Sequence, residues 1–312
     1  MKGLKFFLIA FILSLPFWWG INALTNHLEN YFYAQISQPF QEMSFVKIPE
    51  KPNLELQARA AVSVKINEAG REKILFRKNI DQPLPIASLT KLMTAVIVLE
   101  NSADDSLSKK VIISPWAASQ EDVPPTYEVN LTAGQVLTIE ELLDRMLIYS
   151  VNDAAWALAE VIDGENGEGF TIKKMNQKAI EWGLTNSHFV NPTGLDPENL
   201  HYAPDTIKDF NYSTARDLST LTHRILRERS SIFAITLEEG KYKKENGIST
   251  LQLPEGQFFL GMKTGYTDEA GGCIVLALGD EKGNKFINVI LDTLSSSARI
   301  TEMQKLIDWL NQ

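Results

Sequence analysis

The sequence predicts an α/β fold: an antiparallel sheet flanked by helices, with a mainly helical subregion between its strands. Three observations carry this. Two strand-like runs joined by a turn open the folded region near Ala58, three more lie beyond Phe258, and the stretch between them reads largely as helix. First and last strands then share one sheet, with the two ends of the folded region side by side. At 312 residues, 44% hydrophobic and 22% charged, the chain can bury a full core, and collagen-like, low-complexity and disordered classes are excluded.

Taken in order, Lys2 and Lys5 precede an apolar stretch from Phe6 to about Leu24, the pattern of an export signal or membrane anchor over residues 1–24. Ile21-Asn22-Ala23 is only a weak cleavage candidate, so a retained single-pass anchor is preferred to a removed signal peptide, and the rest of the chain then faces outside the cytoplasm. Residues 25–57 hold Pro39, Pro49 and Pro52 without an apolar period and read as a stalk or linker; residues 58–312 form the folded domain. Ala61–Ile66 and Lys73–Arg77 flank Asn67-Glu68-Ala69-Gly70 as a hairpin. Ser88–Glu100 is apolar nearly all round, with no Gly or Pro, and reads as a buried helix. A second helix starts at Thr138, where Glu141 three residues on completes a capping box. Phe258–Thr264, Cys273–Leu278 and Phe286–Leu291 read as strands, and Thr301–Leu310 as an amphipathic helix with Met303, Leu306, Ile307 and Leu310 on one face.

Several function classes fall away. With 30 basic against 39 acidic residues the net charge of −9 repels a phosphate backbone, so nucleic acid is not an expected partner. The single cysteine, Cys273, can form neither an internal disulfide nor a thiolate metal site, and reads as a small buried hydrophobe. His27, His188, His201 and His223 are scattered without an H-E-x-x-H, and no glycine-rich nucleotide loop is present, so no metal or other cofactor is expected. Glu140, Glu141 and Asp144 lie on a helix face and read as solvated charges.

Three short segments carry chemistry. Ser88-Leu89-Thr90-Lys91 places an amine one helical turn from a hydroxyl, and a lysine of lowered pKa can take a serine's proton. Alone this pattern is weak, since Ser88 could equally be a helix N-cap with Lys91 in solvent. Ser150-Val151-Asn152 adds a hydroxyl and an amide, either of which could cap the next helix. Lys263-Thr264-Gly265 ends a strand, with Gly265 leaving no side chain in the way of a substrate along the strand edge.

All three in this order are far more specific, and together they make the chain resemble the penicillin-recognising serine D,D-peptidases, most closely the low-molecular-mass D-alanyl-D-alanine carboxypeptidases. The resemblance runs from about Ala58 to the C-terminus. It includes Leu84–Lys91, Phe189-Val190-Asn191-Pro192-Thr193-Gly194-Leu195-Asp196, Tyr212-Ser213-Thr214-Ala215-Arg216-Asp217 and Lys263–Gly271. It implies a β-lactamase/transpeptidase-like fold and a serine D,D-carboxypeptidase that takes the terminal D-alanine from peptidoglycan stem peptides, with β-lactams as covalent inhibitors. By resemblance, Ser88 is the acylated nucleophile, Lys91 its proton acceptor, Ser150 the relay to the leaving D-alanine and Asn152 the group holding the substrate amide. Lys263 supplies positive charge, while Thr264, Thr267 and Arg299 resemble a carboxylate clamp. For Arg299, a surface arginine opening the last helix is an equal alternative. The backbone N–H groups of Ser88 and Tyr266 form the implied oxyanion hole.

The departures also carry information. Ser-Val-Asn stands where class A β-lactamases have Ser-Asp-Asn, and no Glu-x-x-Leu-Asn segment supplies their deacylating base, so penicillin is expected to acylate the protein and leave slowly. The chain stops soon after Arg299, without the C-terminal domain of many relatives, and the N-terminal segment could replace the anchor that follows it. A D,D-endopeptidase acting on cross-links, or a non-catalytic penicillin- and peptidoglycan-binding module, are the competing readings. The segment between Asp196 and Tyr212 is longer than usual for the family.

Overall fold

The computed structural model describes residues 53–102, 107–120, 130–164, 169–200, 209–237 and 250–312, with a few helical positions between 15 and 28. The chain divides into two units, Met1–Lys51 and Pro52–Gln312. In the first, the described positions are helical, and the Thr25 hydroxyl donates to the Ile21 carbonyl at 2.9 Å. The expected anchor and stalk, like His201 and most of the longer segment after Asp196, lie largely outside the described residues. Among the described residues no helix is long and apolar enough to cross a membrane.

In the second unit, β1 (Ala60–Ile66) and β2 (Glu72–Lys78) form the expected hairpin. β3 (Leu84–Pro85) leads into a 3-10 turn over Ala87–Leu89 and then α1 (Thr90–Asn101). Every α1 residue from Thr90 to Val98 is buried, which matches a run with no polar stripe. Next come β4 (Lys110–Ile112), α2 (Pro115–Ala118), β5 (Val136–Thr138) and α3 (Ile139–Ile148). α3 begins at the predicted capping box: the Glu141 N–H donates to Thr138 Oγ1 at 3.1 Å, and the Thr138 N–H donates to Glu141 Oε2 at 2.7 Å. α4 (Asn152–Asp163), α5 (Phe170–Glu181), β6 (Tyr212–Ser213), α6 (Ala215–Glu228) and α7 (Ser231–Ile235) follow. β7 (Gln257–Thr267), β8 (Gly271–Asp280), β9 (Lys285–Thr293) and α8 (Ala298–Leu310) close the chain.

The five long strands make one antiparallel sheet in the order β2-β1-β9-β8-β7. Early and late segments therefore meet at β1 and β9, paired from Ala60↔Leu291 to Ile66↔Lys285. Alternation of side chains splits the core in two. Val62, Val64, Val275 and Val289 join the layer that holds α1, α3 and α4, whereas Ile274, Leu276 and Ile290 pack with Met303, Leu306 and Ile307 of α8. Each such side chain contributes about 1.5–3 kcal/mol by burial, and Leu306→Ala, which opens a hole under α8, should cost about 2–5 kcal/mol. With both faces covered, β7 is left as an edge strand, and its second half runs beside the Ala87–Leu89 turn.

Candidate active site

Ser88 sits in that 3-10 turn, directly after Ala87, whose φ of +46° lies in the left-handed region that side chains disfavour. The conformation is held from two sides. A Cβ at Gly194 would lie 1.9 Å from the Ala87 carbonyl oxygen, and one at Gly265 would lie 2.9 Å from the Ser88 nitrogen. The missing side chain of Gly265 thus makes room for the backbone of Ser88, a role the sequence did not reveal. Ser150 is also left-handed, with φ +63°. Strain of this kind is kept only where the surroundings enforce it.

No side-chain cap is present at the start of α1 or α4, so the capping alternatives for Ser88, Ser150 and Asn152 are not what the structure holds. The amine of Lys91, whose residue is fully buried, lies 2.9 Å from Ser88 Oγ, 2.7 Å from Asn152 Oδ1 and 2.9 Å from the Thr193 carbonyl oxygen. The alternative of a solvated Lys91 falls with it. Lys263 is equally buried, and its amine donates to Ser150 Oγ at 2.9 Å and to the Thr264 carbonyl at 3.0 Å. Two hydroxyl–amine pairs therefore form, with the two amines close enough to feel each other's charge.

Burial, followed by the charges of Lys91 and Arg299, holds the Lys263 amine well below its ordinary pKa of 10.5. A proton on one amine favours neutrality of the other. An anion beside it would favour its ammonium form.

The clamp candidates have other bonds. The Thr267 hydroxyl donates to Asp196 Oδ1 at 2.8 Å and accepts from the Ala270 N–H at 3.2 Å; burial raises the Asp196 carboxyl above the usual range despite the Thr267 bond. Arg299 opens α8 as its position suggested, but it is 8% exposed and not a surface residue. Its Nη1 donates to the Gly265 carbonyl at 2.8 Å, bracing β7. Thr264 is buried, and the Tyr266 side chain is exposed at the strand edge. The structure thus joins Ser88, Lys91 and Asn152 by direct bonds and Ser150 to Lys263, while Thr267 and Arg299 are tied to Asp196 and the β7 backbone.

The Thr193 carbonyl is a contributor that sequence reasoning missed. Pro192 and Gly194 signal a turn, but a main-chain acceptor has no residue-type signature. Among the described residues no cluster of His, Cys, Asp or Glu could hold a metal ion. Cys273 is fully buried, and burial pushes its thiol up to about 12.

A serine turned toward a buried amine beneath an open sheet edge is the arrangement of hydrolases that work through an acylated serine. The chain belongs to the Peptidase S11 family, D-alanyl-D-alanine carboxypeptidase, whose profile matches residues 46–295. It is 33% identical to the D-alanyl-D-alanine carboxypeptidase DacF of Bacillus subtilis over 86% of this chain and 67% of that one. It is 28% identical to a D-alanyl-D-alanine endopeptidase of Pseudomonas aeruginosa over 84% of this chain and 81% of that one. Among solved structures, penicillin-binding protein D2 of Listeria monocytogenes in its cefotaxime-bound form superposes with a TM-score of 0.63 at 27% identity, covering 84% of this chain and all of that one.

Proposed function

We propose that the protein is a serine D,D-carboxypeptidase that removes the terminal D-alanine from peptidoglycan pentapeptide stems through an acyl-enzyme on Ser88. The observation that carries this is the buried Lys91 amine, 2.9 Å from Ser88 Oγ and held on its other sides by Asn152 and Thr193. A neutral amine has two hydrogens and one lone pair. Given to Asn152 and Thr193, the hydrogens leave the lone pair aimed at the Ser88 hydroxyl. As Ser88 Oγ bonds to the carbonyl carbon between the two D-alanines, its proton passes to Lys91 Nζ. Backbone N–H groups of Ser88 and Tyr266 hold the oxyanion. When the C–N bond breaks, the leaving amine takes a proton from Ser150 Oγ, which Lys263 and Lys91 replenish. Water then cleaves the ester, freeing the shortened peptide and restoring Ser88. The substrate's terminal carboxylate, entering near Thr264, Lys263 and Arg299, supplies the anion that favours the Lys263 ammonium.

The protein is further read as extracytoplasmic, with residues 1–24 as its anchor, 25–57 as a stalk and 58–312 as the catalytic domain. Membrane retention after carbonate washing, lost on deleting residues 1–24, tests this. A fluorescent penicillin should label the wild type and not Ser88→Ala; equal labelling of both refutes the acyl-enzyme. The resemblance to the Pseudomonas aeruginosa endopeptidase favours a second reading, cleavage of cross-links. Release of monomers from purified cross-linked dimers would establish it, and loss of D-alanine from pentapeptides alone would reject it.

A further inference from the structure

We propose that Asn211 is a positioning residue for the acylation step, the buried carboxamide that locks three separate segments into the geometry aiming Lys91 at Ser88. The inference rests on the Ser88–Lys91 reading above and deepens it. Asn211 is 2% exposed and immediately precedes β6. Its Oδ1 accepts from the N–H groups of Val190 and Asn191 at 2.6 and 3.1 Å. Its Nδ2 donates to the Asn191 carbonyl at 2.9 Å and to Thr90 Oγ1 at 3.1 Å. Its own carbonyl accepts from the Ile86 N–H at 3.2 Å.

These bonds end where the chemistry begins. Thr90 adjoins Lys91, and Ile86 precedes the strained Ala87. Asn191 passes the constraint on: its Oδ1 accepts from the Thr193 N–H at 3.0 Å, the Thr193 hydroxyl at 2.9 Å and the Gly194 N–H at 2.7 Å. The turn that presents the Thr193 carbonyl to Lys91 is thereby fixed to the helix bearing Lys91 and to the strand entering Ser88. A lysine side chain has four rotatable bonds, so its acceptors set the direction of its lone pair. If the Thr193 carbonyl moves, that direction moves off the serine proton. Only a carboxamide serves at this place, because one end must donate and the other accept. A leucine of similar volume loses all of these side-chain bonds, those to Thr90 and the Asn191 carbonyl included, whereas an aspartate would still accept from the Thr90 hydroxyl.

The test uses the full-length protein and a fluorescent penicillin, measuring the non-covalent dissociation constant, the first-order acylation rate constant and the thermal unfolding temperature. Asn211→Leu and Thr90→Val should each slow acylation about tenfold with the dissociation constant unchanged. The double variant should be no slower than Asn211→Leu alone, since the leucine already removes the bond that Thr90→Val removes. If Asn211→Leu does not fold, Thr90→Val decides, because it removes the Asn211–Thr90 bond from the other side. Acylation at the wild-type rate in the folded variants, with or without a lower unfolding temperature, overturns the proposal; so do independent effects that multiply in the double variant. A wild type that takes no label refutes the Ser88 reading itself and is distinguished from either result.

Discussion

The two edges of the central sheet are built to opposite specifications. β2 exposes Glu72, Lys73, Ile74 and Arg77, and its charges discourage any further strand from pairing there. β7 buries everything from Gly261 to Gly265, including a lysine, and lays its backbone against the turn that carries Ser88. One edge is protected by being unattractive, the other by being occupied with chemistry.

The contrast breaks most severely at the β7 side. Lys91→Ala should reduce the penicillin acylation rate about a thousandfold, within the usual range for losing a proton acceptor, while leaving the far-UV spectrum intact; acylation within tenfold of wild type would assign the proton to another group. Gly265→Ala comes next. Its new Cβ would press on the Ser88 nitrogen from 2.9 Å, and about a hundredfold slower acylation is expected from displacing the turn. Unchanged kinetics would show that the turn has slack.

A third measurement concerns charge. The folded pKa of Lys263 is depressed relative to 10.5, so between those two values the unfolded chain binds more protons than the folded one, and stability rises with pH. Below the folded value both states carry the proton, and the cost of the buried cation is felt in full. Denaturant titrations should therefore show an alkaline rise in wild-type stability that Lys263→Met lacks. Matching slopes would mean that Lys263 keeps its proton throughout. The smallest effect belongs to the other edge: Ile74→Ala, at a site 39% exposed, should change stability by no more than about 1 kcal/mol and leave acylation untouched.

Local signals were legible before any coordinates. The Thr138–Glu141 cap, the two hairpins and the last helix follow from neighbouring residues, and the sheet order follows from their pairing. α6 was missed as an element although Thr214 caps it by accepting from the Asp217 N–H at 3.0 Å, a signal present in the motif but read only as family resemblance. α5 gave less to see, since it starts at left-handed Gly169 without a side-chain cap. At the site, residue types suggested a chemistry, but they carried no sign of the left-handed Ala87 and Ser150 or of the Thr193 carbonyl. Those are imposed by segments distant in sequence, and neither alanine nor serine advertises a positive φ.

The Ala87–Ser88 peptide is gripped between Gly194, at the Ala87 carbonyl, and Gly265, at the Ser88 nitrogen, like a key between two wards of a lock. A methyl group at either ward would meet that peptide at 1.9 or 2.9 Å, so both positions should refuse any larger residue unless the turn itself shifts.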